Sequence, residues 1–158
     1  MVDALIRAVY AVAYRALRVW WFFRRPNVHG AFVAVWHDDA LLIIRNSYRR
    51  GETLPSGHIE RRESARAAAH RELLEEVGID APEDELLPAT DFELDWDYKR
   101  DRASIFEWHP SQRPRIRVDA REVVWGEFIA EGELDSRPLV PHVVRYLEWR
   151  RARSDSLD

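Results

Sequence analysis

The chain has 158 residues, 46% of them hydrophobic, which suits one folded domain with a sizeable core and excludes a disordered segment. It contains no cysteine, so disulfides and thiolate metal sites are excluded, in keeping with a reducing cytoplasm. A net charge of −4 excludes general nucleic-acid binding through a basic field, and Lys99 is the one lysine among 24 basic residues.

Residues 3–23 read as an amphipathic helix preceding the main domain. At 100° per residue Arg7, Arg15 and Arg18 fall on one narrow stripe and the wide remainder is apolar. Those arginines interrupt any apolar run long enough to span a bilayer. Three roles stay open for it: packing on its own domain, forming a homodimer interface, or making a weak contact with a membrane surface. Arg24 to Pro26 break the helix, so the expected organisation is a helix over 1–25, a domain over 26–152 and a frayed tail over 153–158.

Residues 28–36 and 40–45 then read as strands joined by a turn at His37, Asp38 and Asp39. A loop over 46–56 carries Arg49 and Arg50. With Arg45 these are candidates to hold substrate phosphates through charge-assisted forks. Further on, 80–90 reads as a connection, 91–97 and 103–108 as strands around a turn at 98–102, and 123–128 as a last strand. A C-terminal helix is expected from Pro138, with Val140, Val143, Val144 and Leu147 as its buried stripe. Strands interleaved with a central and a terminal helix indicate a mixed α/β domain.

The stretch over 57–79 is the informative one. Ser64 is a plausible N-cap, the alanines and leucines after it favour helix, and Gly78 suits the left-handed residue that ends one. Glu72, Glu75 and Glu76 share one face of that helix in its last turn. Like charges at this spacing cost roughly 0.2–0.5 kcal/mol per pair. The exposed carbonyls of a helix end disfavour each negative charge by about 0.3–1 kcal/mol more. Local stability opposes the arrangement, and a hard divalent cation would relieve it, because Mg²⁺ takes carboxylate oxygens as ligands. Arg71 can reach Glu63 or Glu75 and lock part of the cluster.

The full pattern is G-x5-E-x7-R-E-U-x-E-E-x-G-U, with U apolar, met by Gly57, Glu63, Arg71, Glu72, Leu73, Glu75, Glu76, Gly78 and Ile79. A chance match at any one start is on the order of one in 10⁸, which outweighs the bland reading of a solvated acidic helix end. The sequence resembles the Nudix hydrolase family. That resemblance implies an α/β/α sandwich around a mixed sheet, and hydrolysis of a pyrophosphate bond in a nucleoside diphosphate derivative or nucleotide with Mg²⁺ or Mn²⁺. It further implies Glu72, Glu75, Glu76 and the carbonyl of Gly57, or of its neighbour Ser56, as metal ligands. Glu63, Arg71 and Gly78 become structural, and Glu60 is a candidate contact to substrate. The general base stays open among Glu72, Asp119 and Glu122, with Glu76 also in the catalytic set.

Two positions depart from the family's common form. Ser56 and Arg62 stand where glycine is frequent, and Ser56 is expected to strain the loop if its φ must be positive. Trp36, Trp96, Tyr98 and Trp108 are candidates to stack a base, against the commoner place of such residues in a core. The rival expectation is a Nudix-fold nucleotide-binding or regulatory module with little catalysis.

Overall fold

A computed structural model describes residues 2–155 of the chain. Helix α1 (Val2–Arg24) comes first, followed by strands β1 (Asn27–His37), β2 (Ala40–Asn46) and β3 (Ser56–His58). Helix α2 (Ala65–Val77), strands β4 (Leu87–Trp96), β5 (Lys99–Trp108) and β6 (Val123–Ala130), and helix α3 (Pro141–Ser154) complete it. The sheet order is β4-β5-β1-β2-β6, with β3 pairing to β1 beside this path. The sheet is mixed because β1 and β5 run parallel while the other pairs are antiparallel.

Two buried clusters sandwich the sheet. Ala31, Val33 and Val35 of β1 pack with Ala68, Leu73 and Val77 of α2, and alternate β1 residues Phe32, Ala34 and Trp36 pack with Val143, Tyr146 and Leu147 of α3. The period of two along β1 thus serves both helix layers, as a strand buried on both faces requires. Neither cluster contains a residue of α1.

The local chemistry explains the boundaries. Ser64 Oγ accepts from the Ala67 amide, Gly78 closes α2 at φ +67°, and its N–H donates back to the last turn. The β4–β5 turn is shorter than the sequence indicates: Trp96 pairs with Lys99, leaving only Asp97 (φ 52°) and Tyr98 (φ 66°) at its tip. Two left-handed residues make this a tight turn normally announced by Asn or Gly. Here Asp97 is held from outside, by Arg18 at 2.5 Å and by the hydroxyl of Tyr14. Strand β4 likewise starts at Leu87, inside the stretch expected to be a connection.

Helix α3 begins at Pro141, with Val140 in the preceding extended position, and Val144 is exposed. The buried face is His142, Val143, Tyr146 and Leu147. Proline suits a first helical position, and Val140 instead pairs its N–H with Glu52. Of the expected tail, residues 153–154 are helical and 156–158 lie outside the described residues.

Glu52 locks the loop before β3 onto this end. Its side chain is 1% exposed and accepts from Arg45 at 2.7 Å and from Arg137 at 2.8 and 2.9 Å. Burial pushes its carboxyl up, but the two arginines outweigh burial and hold it below 4.5. A depressed native pKa means stability present above 4.5 and lost as pH falls through the native value. Glu52→Gln is therefore expected to cost about 2 kcal/mol near neutrality. In thermal melts taken down to about pH 3, the gap from wild type shrinks; a gap that ignores pH would contradict the assignment.

Candidate active site

The carboxylates of α2 converge on the short β3 strand. Glu76 is 4% exposed; its Oε2 accepts from the Ser56 amide at 2.8 Å and its Oε1 from Asn46 Nδ2 at 3.3 Å. Asn46 reaches it because the β2–β6 register shifts between Arg45 and Asn46, a bulge that re-aims the side chain. Glu72 lies one turn back against Gly57. A Cβ at Gly57 would stand 1.9 Å from Glu72 Oε1, so only glycine leaves that carboxylate its place. Glu75 points outward, with a side chain 62% exposed.

Arg71 organises the loop. It donates twice to Glu63, from Nε at 3.0 Å and Nη2 at 3.1 Å, and reaches the His58 carbonyl at 3.1 Å. Its Nη1 also donates to Glu72 at 2.5 Å and lies 3.5 Å from Glu75.

Burial is the main force on the site's charges. It pushes the Glu76 carboxyl well above 4.5, and the nearby Glu72 and Glu122 charges push it further, against the Ser56 amide and Arg49. Burial also raises Glu72, where Arg71 pulls the other way and Glu75 and Glu122 add to the rise. Glu72, Glu76 and Glu122 therefore form a group of like charges that the protein only partly compensates. Among the described residues, no three or more His, Cys, Asp or Glu side chains stand as a ready-made metal cluster.

The remaining candidates divide. Glu122 joins the group, accepting from the Tyr48 hydroxyl at 2.8 Å. Asp119 sits in the same loop, but its oxygens accept from the amides of Arg121, Glu122 and Val123, so it holds the turn that presents Glu122. Arg49 lies beside Asn46 (3.4 Å), and its buried Nε makes no hydrogen bond. Arg45 is committed to Glu52, Arg50 is exposed on its loop, and Glu60 is exposed with its amide donating to Glu63.

Beside the carboxylates opens a cavity of about 420 Å³ that Ser56, Gly57, Arg49 and Glu122 share with Tyr10, Tyr14 and Trp21 of α1. Tyr48 packs at a tilt against both Tyr10 and Tyr14, at 6.1 and 5.2 Å between ring centroids, and the Lys99 ammonium lies 5.0 Å from the centre of the Trp21 ring. The tryptophans singled out from the sequence do not line it: Trp36 and Trp108 are buried in the cores, and Trp96 packs on the α3 side. The α1 residues were legible as a 10-14-17-21 spacing, one face of a helix. Asn46 carried no such signal, because a bulge is not visible in composition.

The NUDIX domain family model matches residues 26–149. The chain belongs to the Nudix family. Solved Nudix structures share its fold. A MutT NUDIX hydrolase from Burkholderia pseudomallei is 21% identical, with a TM-score of 0.68 over 78% of this chain and 97% of that one. The NUDIX domain of Shewanella oneidensis NrtR, complexed with ADP ribose, is 14% identical with a TM-score of 0.70 over 80% and 88%. A C. elegans Ap4A hydrolase is 15% identical with a TM-score of 0.67 over 82% and 98%. No curated protein matches the chain.

Against the common Nudix form, Ser56 has no positive φ, so the strain expected there is absent; its amide instead serves Glu76. The strain sits at Arg62, exposed with φ 73°. Arg62→Gly is expected to stabilise the protein by about 0.5–1 kcal/mol in urea titration, since a left-handed side chain is relieved. An unchanged or lower midpoint would remove that reading.

Proposed function

We propose that the chain is a Mg²⁺- or Mn²⁺-dependent pyrophosphohydrolase acting on a nucleoside diphosphate derivative or nucleotide. The observation that carries this reading is the mutually repelling group of buried Glu76 with part-buried Glu72 and Glu122 beside Gly57, opening on a cavity with aromatic walls. An all-oxygen donor set fits a hard cation. Glu72, Glu76 and the Gly57 carbonyl would hold it, with Glu75 reaching in from the rim. Bound there, it supplies charge neutralisation at phosphorus and a more acidic water.

The chain's own groups supply positioning. Arg49, with its free Nε, suits a phosphate oxygen, and Tyr10, Tyr14, Tyr48 and Trp21 offer faces for a base. Of the two late-loop candidates for general base, Glu122 is favoured, since the Asp119 oxygens are occupied by amides. The ligands named for the neighbours, ADP ribose and Ap4A, are of the class such a cavity suits. Residues 26–152 form the catalytic domain, supported by both cores lying within it. The lack of cysteine supports a cytoplasmic setting.

The rival, a binding module with little turnover, draws on Glu76 having both oxygens engaged by protein donors. A panel of nucleoside diphosphate derivatives incubated with Mg²⁺ or Mn²⁺, with products counted, separates them. Hydrolysis at a phosphoanhydride supports the enzyme. Ligand binding by calorimetry without any product supports the module and overturns the enzyme.

A further inference from the structure

Helix α1 has two apolar faces, and the fold uses one. The face with Tyr10, Tyr14 and Trp21 walls the cavity, yet no described side chain of α1 is buried. The opposite arc carries Leu5, Val9, Val12, Val19, Trp20 and Phe23, all exposed, with Val12 at 63% and Phe23 at 76%. At 100° per residue this arc contains no polar side chain, and Arg15 and Arg24 border it on its two sides.

The arc continues into the domain at one end. Arg15, Arg18, Phe22 and Phe23 line a groove of about 520 Å³ with Tyr98, the exposed tip of the β4–β5 turn. Arg25, Lys99 and Arg100 line a recess, together with Asp95, that shares Tyr98 with this groove. Apolar side chains, aromatic rings and guanidinium groups thus meet on one surface.

We propose that this surface docks flat on an anionic lipid bilayer. Charge complementarity selects that occupant. Residues 1–25 hold five arginines against one carboxylate, in a chain whose net charge is −4; Arg18 is paired with Asp97, and the other four still gather positive charge on this helix. Arginines flanking an apolar arc extend their stems along it and set their heads at the phosphate level. Trp20, Phe22, Phe23 and Tyr98 are the residue types that settle at the interface. No described helix is long and apolar enough to cross a membrane, which agrees with one that lies in the surface plane. A second copy of α1 is a poorer occupant: symmetric pairing brings two arginine rows together, and the helix's single carboxylate, Asp3, is already 3.4 Å from Arg121. The inference is independent of the proposed reaction.

The test is co-sedimentation of the full chain with vesicles of phosphatidylglycerol and phosphatidylcholine, against phosphatidylcholine alone. Binding to the anionic vesicles is expected to be at least about tenfold stronger, and to weaken as salt screens the arginines. Val12→Glu with Phe23→Glu is expected to reduce it about tenfold or more, and both positions are exposed, so the fold is retained. Arg15→Gln with Arg24→Gln, which leaves the apolar arc intact, is expected to erase the preference for anionic lipid. No binding to anionic vesicles overturns the proposal. So does a solution dimer, seen by sedimentation equilibrium, that the Val12→Glu, Phe23→Glu pair dissociates, because the arc would then be a subunit interface.

Discussion

Glu76→Gln is expected to melt higher than wild type in the absence of metal while turning over substrate about 10³-fold more slowly, a loss of ~4 kcal/mol in transition-state stabilisation. The two effects have one origin. Burial raises the Glu76 carboxyl well above 4.5, and Glu72 and Glu122 add to the rise. A group whose native pKa is raised favours folding below its unfolded value, and that favour is lost as pH rises through the native one. At neutral pH the buried carboxyl therefore weakens the fold, and glutamine, which does not titrate, removes that cost. The amide keeps an oxygen for the Ser56 N–H, and the Asn46 side-chain amide can turn its Oδ1 to accept from the new NH₂, so the packing survives. The gain corresponds to roughly 2–4 °C per kcal/mol for a chain of this size. Differential scanning calorimetry with and without Mg²⁺ reads the stability half, where the cation raises the wild-type midpoint and leaves the variant's nearly unchanged, and a steady-state assay reads the turnover. A variant that melts lower, or that hydrolyses at the wild-type rate, is incompatible with this account.

Gly57→Ala is expected to lower kcat about 100-fold with a stability change under about 1 kcal/mol, the scale set by an ångström-sized misplacement of a reacting group. Gly57 does not have a positive φ, so alanine brings no backbone strain. What it brings is a methyl group 1.9 Å from Glu72 Oε1 and 2.0 Å from Cδ. The methyl group cannot share that space, and the carboxylate is the flexible end of its side chain, so Glu72 moves. It moves away from Ser56–Gly57 and toward Arg71, which already donates to it at 2.5 Å. The prediction separates a site effect from a folding effect: kcat measured beside a urea titration shows a large loss in the first and little in the second. Full activity would mean that Glu72 does no work at Gly57, and a matching loss of stability would mean that glycine is needed only for packing.

These two residues show how unevenly the site could be read in advance. Glu72 and Glu76 are visible as carboxylates at the wrong end of a helix, because their local cost is a matter of spacing alone. That Glu76 is buried and Glu75 exposed is not visible, since both obey the same spacing and only the direction of the sheet distinguishes them. Among the arginines, Arg45, Arg49 and Arg50 are equivalent in sequence. Folding sends the first to Glu52, the second to the cavity and the third to solvent. Asp119 and Glu122 are likewise a pair of late-loop acids until one is seen capping the turn that carries the other.

By itself the sequence determined the α2 helix with its caps, the apolar run that makes β1 a strand, and the motif that assigns the family. Each of these is carried by one continuous stretch of the chain, the longest running from Gly57 to Ile79. The tertiary structure alone decided the two-residue β4–β5 turn, the Asn46 bulge, the strain at Arg62 in place of Ser56, and the position of α1 over the cavity beside Gly57 and Glu122. Apart from the local turn at Arg62, these depend on partners far along the chain, such as Tyr14 and Arg18 on Asp97, whose loop-closure cost is offset only once the sheet has formed.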